Sequence, residues 1–214
     1  MRSNIFDYCF IAFGLVIQVV TFLLMPHDTW LSLVSGCLGI CSVCLAAQGN
    51  ILTFAFGFAQ VGTYTYLCAT QRFYAEIGIN AYYFITMIYG VYAWRKRIAD
   101  SNDQLVVKPR RLPHTILAVL IVTTFAASWL TGLGLASWTN DTQPYLDAFT
   151  TVPALVAQIL MVLVYREHWF IWLSVDILSV ILWLRAGDYC MAAQYAFWCA
   201  NCIYGLRRWK VTTS

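Results

Sequence analysis

"YAEIGINAYYFITMIYGVYAW", residues 74–94, lies without a gap over "YCMAAQYAFWCANCIYGLRRW", residues 189–209. Tyr74 meets Tyr189, Ala81 meets Ala196, "IYG" at 88–90 meets "IYG" at 203–205, and Trp94 meets Trp209. The offset is 115 residues; extended backwards, it lays Trp30 on Tyr145 and the apolar run 30–48 on the run 145–165. Three consecutive apolar segments (30–94) therefore recur as three more (145–209), with 113–133 between them as a connector. The shift is four segments, an even number. If every segment crosses a membrane, both triplets enter it in the same direction, as a parallel repeat about an axis along the membrane normal.

The composition supports the membrane. Of 214 residues, 61% are hydrophobic and only 11% charged, far from the balance of a soluble domain. Runs of the length a helix needs to cross a bilayer recur at roughly 4–25, 30–48, 50–69, 74–94, 113–133, 145–165, 168–185 and 189–209. The expected fold is an all-α polytopic membrane protein of eight transmembrane helices. Its parts are an N-terminal helix (1–29), a first three-helix repeat (30–94), a cytoplasmic linker with a connecting helix (95–144), and a second three-helix repeat (145–214). The first run, "NIFDYCFIAFGLVIQVVTFLLM", is too long for a signal-peptide core and lacks a small-residue cleavage pattern, so it is expected to stay as a helix.

Charge sets the orientation. With the amino terminus inside, eleven of the thirteen basic residues fall on the inner side, and only Arg72 and Arg185 fall outside. That bias places both termini in the cytoplasm and absorbs the net charge of +3, so no nucleic-acid partner is needed to explain it. The linker "RKRIADSNDQLVVKPRRLP" (95–113), with Pro109 and Pro113, reads as solvated chain and topology anchor. Gripping anionic lipid heads is its other use.

Eight cysteines include "CSVC" (Cys41, Cys44) and "CANC" (Cys199, Cys202). A CxxC pair can hold a metal or run redox chemistry. These pairs sit mid-helix among small residues without a nearby His, where Cys serves as a small packing residue. The chain shows no Ser/His/Asp set, metal-ligand pattern or phosphate cradle. It reads as a non-enzyme without a cofactor.

Polar groups inside a bilayer are costly and mark function. Trp169, Trp172 and Asp176 share a helix face at spacing i, i+3, i+7, and Gln194, Trp198 and Asn201 do so at i, i+4, i+7. Glu76, Asn80 and Tyr83 line up in the first half, with Gln60 and Gln158 on neighbouring segments. Gln60, Asn80 and Asn201 suit either ligand contact or hydrogen bonding between helices. Trp94 and Trp209, beside basic residues, read as interfacial anchors, and Trp169 is open to the same reading; Trp172 lies a turn deeper. Glu76 and Asp147, near helix ends, read as structural. His27, His114 and His168 fall near predicted membrane edges and are expected to be solvated. Indole faces attract cations and flat rings. With a carboxylate and amides nearby, they suit a small, flat, polar, positively charged solute.

These stretches resemble the PnuC family of bacterial vitamin transporters, over about residues 30–209. The resemblance rests on "YAEIGINAYYF…IYGVYAW" (74–94), "LDAFTTV…AQILM" (146–161), "WFIWLSVDILSVI" (169–181) and "NCIYGLRRW" (201–209). It implies a SWEET-like fold of three plus three helices joined by one, with an additional amino-terminal helix in some members. It also implies uptake of nicotinamide riboside, a cationic ribosylated pyridine, with thiamine and riboflavin carriers as relatives of the same fold. The family's W-x-x-W indoles map to Trp169 and Trp172, and its amides map to Gln60, Asn80 and Asn201; Gln194 and Trp198 join the candidate site from helix spacing alone. In such folds the substrate is expected near the midplane, between the halves. Nicotinamide riboside carriers often have amides where this chain has Met87 and Asp176, and a carboxylate there suits the thiazolium of thiamine equally.

The implied mechanism is facilitated diffusion, with a cytoplasmic vitamin kinase trapping the product. Asp176 is also placed to carry a coupling proton. The expected partners are the lipid bilayer, a small cationic or aromatic vitamin and that kinase, with homo-oligomerisation left open. A redox or metal-binding bundle on the two CxxC pairs is the competing reading. A channel fits poorly, because two indoles on one face would clog a water-filled pore.

Overall fold

The computed structural model describes residues 5–24, 29–70, 74–99, 105–140, 142–187 and 189–210, without the side chains at 74–76, 186 and 190. His27 and the side chain of Glu76 lie outside the described residues. Eight helices are described: α1 Ile5–Leu24, α2 Trp30–Ala47, α3 Thr53–Thr70, α4 Tyr74–Ala99, α5 His114–Trp138, α6 Pro144–Val162, α7 His168–Ala186 and α8 Tyr189–Arg208. α1, α2, α5, α6 and α7 are long and apolar enough to cross a membrane. α3, α4 and α8 match them in length, at 18, 26 and 20 residues. This is the expected all-α fold.

The helices keep the repeat. α2, α3 and α4 begin at 30, 53 and 74, and α6, α7 and α8 begin at 144, 168 and 189. Both triplets break their first helix pair with a left-handed residue, Gly49 at φ 70° and Val164 at φ 66°, again 115 apart. Gly49 adopts that conformation at no steric cost, whereas a β-branched residue is strained there. Val164 is fully buried, which offsets the strain. The turn ends α6 at Val162, short of the expected 165. The Asn50 side chain accepts from the Leu52 amide at 3.0 Å, an Asx turn that delays the start of α3 to Thr53.

The chain forms two compact units, residues 1–108 with 162–164, and residues 109–161 with 165–214. In the first, α1 packs on α2, α2 on α3 and α3 on α4. Gln18 of α1 lies across Gly36, where a Cβ would overlap its amide. Ser42 and Thr53 exchange hydrogen bonds between α2 and α3: each hydroxyl donates to the other's backbone carbonyl at 2.9 Å. In the second unit α7 packs on α8, and α5 receives Tyr145 against Gly132. Large apolar side chains along α1 and α5 stay uncovered, among them Phe13, Leu23, Val122 and Leu130, as lipid-facing helices require.

The structure corrects three expectations. The linker is not simply solvated, because Val107 and Leu112 are buried. Ile51 donates to the Leu105 carbonyl at 3.0 Å and Val107 donates to Gly49 at 2.9 Å. In the second unit Arg166 donates to Arg110 at 3.0 Å, and the Leu112 amide donates to Glu167 at 3.1 Å. Trp94 and Trp209 are interior residues, 0% and 2% exposed, rather than interfacial anchors. His168 is 0% exposed rather than solvated. Its ring lies 4.4 Å from Trp169 and 4.6 Å from Trp209, and Nδ1 is 2.6 Å from the Tyr165 carbonyl. For Trp94 and Trp209 the basic neighbours in sequence gave a surface reading, and for His168 the predicted membrane edge did; packing against aromatic partners overrides both.

Candidate functional site

α7 carries the W-x-x-W face. The helix follows the Val164 turn and closes on Gly187 at φ 79°, a left-handed C-cap. Between these stops every side chain of the face has a fixed angular position. Trp169, in the first turn, is 4% exposed. Its ring lies on Gly205 of α8, where a Cβ would come within 2.5 Å of the indole, and edge-on to Trp209 with centroids 5.9 Å apart.

The first repeat makes the same joint. Phe54, 115 residues before Trp169, lies on Gly90, where a Cβ would come within 2.6 Å of its ring. Phe54 is also edge-on to Trp94 at 5.1 Å. An aromatic from the second helix of each triplet thus seats on the "IYG" glycine of the third and meets the Trp four residues after that glycine, Trp94 or Trp209. Trp169 is therefore the packed foot of the face. Trp172, three residues on, is half-buried.

Asp176, one turn further, is 3% exposed and accepts a hydrogen bond from the Cys202 thiol of α8 at 3.2 Å. Asn201 beside it is buried, Gln194 and Trp198 are half-buried, and Trp198 is edge-on to Tyr195 at 4.7 Å. The α7–α8 pair thus carries indoles, amides and a carboxylate paired with a thiol, a set of groups suited to a flat cation rather than an anion.

The first unit holds the other predicted residues. Asn80 of α4 is 3% exposed. Gln60 of α3 is half-buried, its backbone carbonyl 3.4 Å from the Ser35 hydroxyl that donates to it. Met87 is buried with its sulfur against Gly57. Gln158 of α6 is buried, Asp147 half-buried and His114 exposed. Two open grooves, along α4 (Ile88, Val91, Tyr92, Arg95, Lys96) and along α5 (Phe125, Ala126, Trp129, Leu130), contain none of the predicted site residues. The α5 groove lies among uncovered apolar side chains, and the α4 groove runs from Ile88 to the basic Arg95 and Lys96.

Among the described residues no three His, Cys, Asp or Glu side chains gather as metal ligands. Cys41, Cys44, Cys199 and Cys202 are free thiols. Sequence reasoning missed Cys202 as a partner of Asp176, since only the α7–α8 register brings them together. Gly90 and Gly205 were visible in the repeated "IYG" but were not read as seats for a ring.

Residues 29–211 match the family described as Nicotinamide mononucleotide transporter. The chain belongs to this family. It is 31% identical to the nicotinamide riboside transporter PnuC of Neisseria mucosa, covering 95% of this chain and 80% of that protein. It is 27% identical to that of Haemophilus influenzae, over 95% and 89%. The riboflavin/roseoflavin transporter RibM of Streptomyces davaonensis is 24% identical, over 86% and 85%. A crystal structure of the vitamin B3 transporter PnuC superposes with a TM-score of 0.78 at 28% identity, covering 97% of this chain and 92% of that one. The nicotinamide mononucleotide transporter family consists of carriers rather than enzymes, and its member here is a multi-pass membrane protein.

Proposed function

We propose that this protein carries nicotinamide riboside into the cytoplasm by facilitated diffusion. The observation that supports this most is the 31% identity to a nicotinamide riboside transporter over 95% of the chain. The α7–α8 chemistry agrees with it. Trp172 offers an indole face to the pyridinium ring, Asp176 a counter-charge, and Asn201, Gln194 and Trp198 further contacts, with Trp169 as the packed support of the face. A desolvated cation–π contact adds about 2 kcal/mol, enough to make Trp172 the dominant single residue.

The same reading divides the chain into an additional helix (1–29), two triplets (30–94 and 145–214) and a linker with connecting helix (95–144). It places both termini in the cytoplasm of a bacterial inner membrane by the positive-inside bias. A cytoplasmic kinase that phosphorylates the vitamin traps it, so uptake needs no pump. Thiamine is the second reading, favoured by the carboxylate of Asp176 where relatives often have an amide.

Calorimetric titration of the purified protein with nicotinamide riboside, thiamine and riboflavin tests the proposal. Saturable binding of nicotinamide riboside, lost in Trp172→Ala, is the expected result. Tight binding of thiamine alone would transfer the assignment to the second reading.

A further inference from the structure

The Asp176 carboxylate is 3% exposed in the α7–α8 packing. Among the described residues its hydrogen-bond partner is a neutral thiol, Cys202, whose Sγ donates to Oδ2 at 3.2 Å. A buried carboxylate without a cation beside it is unfavourable, and chains retain such groups where a ligand or proton supplies the missing charge. Cys202 holds one oxygen and leaves Oδ1 to accept from, or pair with, something else.

The repeat shows that this arrangement belongs to the second half alone. The 115-residue offset matches Trp172 with Gly57, Asp176 with Val61 and Cys202 with Met87. In the first unit the large Met87 fills against the small Gly57, and Val61 is buried. In the second unit the sizes are exchanged. A small thiol stands where methionine stood, a large indole where glycine stood, and a carboxylate replaces valine. Packing alone is met by the first arrangement. The second adds an indole face and a negative charge on one helix, four residues apart, with a thiol donor on one oxygen of the carboxylate.

We propose that Cys202 is a positioning residue that fixes Oδ2 of Asp176 so that Oδ1 meets the positive ring of the substrate, and that this pair makes the carrier select a fixed cation over an uncharged molecule of the same shape. The inference rests on the vitamin-carrier reading above and adds the residue that positions the carboxylate and so sets the preference for a charged ring.

The test compares nicotinamide riboside with its reduced 1,4-dihydro form, which has the same outline and no ring charge. The wild-type protein is expected to bind the cation at least about tenfold more tightly than the neutral form. Asp176→Asn should collapse that ratio toward one, chiefly by weakening the cation. Cys202→Ala should reduce the ratio about tenfold, the scale of a hydrogen bond to a charged group. Cys202→Ser, which keeps a donor on the same atom position, should recover most of it. A thermal melt of each variant separates loss of fold from loss of selectivity.

If Cys202→Ala and wild type share one cation-to-neutral ratio, Cys202 only packs and the proposal is overturned. If the wild-type protein binds thiamine but not nicotinamide riboside, the vitamin assignment fails. The same variants then read on thiamine against its uncharged analogue with a thiophene in place of the thiazolium, and a Cys202-dependent preference still upholds the pair. If the wild type binds neither cation, both readings fall.

Discussion

Phe54 and Trp169 do one mechanical task in two places: each presses a ring onto a glycine and meets the Trp four residues after that glycine edge-on. Two single-residue outcomes follow from that geometry. Trp169→Phe should keep the fold and most of the affinity, because phenylalanine already fills the matched position, whereas Trp169→Ala should cost about 3–5 kcal/mol by opening a void. Gly205→Ala should cost about 1–3 kcal/mol, since the added methyl meets a buried indole that has little room to move. Thermal unfolding in detergent ranks all three; a Gly205→Ala protein as stable as wild type would remove the joint. The W-x-x-W pair was legible in sequence, but the division of labour between its two indoles was not. Spacing places both on one face, and only the facing glycine shows which one is clamped. His168 misled for a related reason: its place near a predicted membrane edge suggests water, while its own ring is enclosed by Trp169 and Trp209.

Elements were read well where periodicity is long and poorly where one backbone angle decides. All eight helices were visible as apolar runs, and the 115-residue register tied six of them together before any coordinate. The end of α6 was not visible, because Val164 looks like another helical apolar residue and gives no sign of its left-handed φ of 66°. The linker was misread because its composition is charged and proline-containing, although residues 105–112 pair with the turn of each triplet. Glu167 tests that strap. It is 9% exposed and accepts from the Leu112 amide at 3.1 Å, so Glu167→Ala should leave a buried amide unpaired at a cost of about 1–3 kcal/mol. Hydrogen exchange at Leu112 should accelerate in that variant. Unchanged protection there would show that the contact contributes nothing.

At the scale of the molecule, the fold is a duplicated triplet with an additional helix before it and a connecting helix between. The family match begins at residue 29, and α1 attaches through Gln18 lying across Gly36. Removing residues 1–28 should therefore lower the melting temperature while leaving the affinity for nicotinamide riboside as in the full chain; loss of binding with an intact melt would place α1 in the site. The carrier fold was legible because duplication and hydropathy act over many residues. The substrate was less so, because it depends on a few side chains whose partners come from another helix, as Asp176 and Cys202 show.

Uptake of labelled nicotinamide riboside into liposomes containing only the purified protein tests the central claim most directly. The account predicts saturable equilibration of the label without nucleotide or ion gradient, abolished by Trp172→Ala. Uptake no greater than in empty liposomes, or uptake that requires an imposed proton gradient, would contradict it.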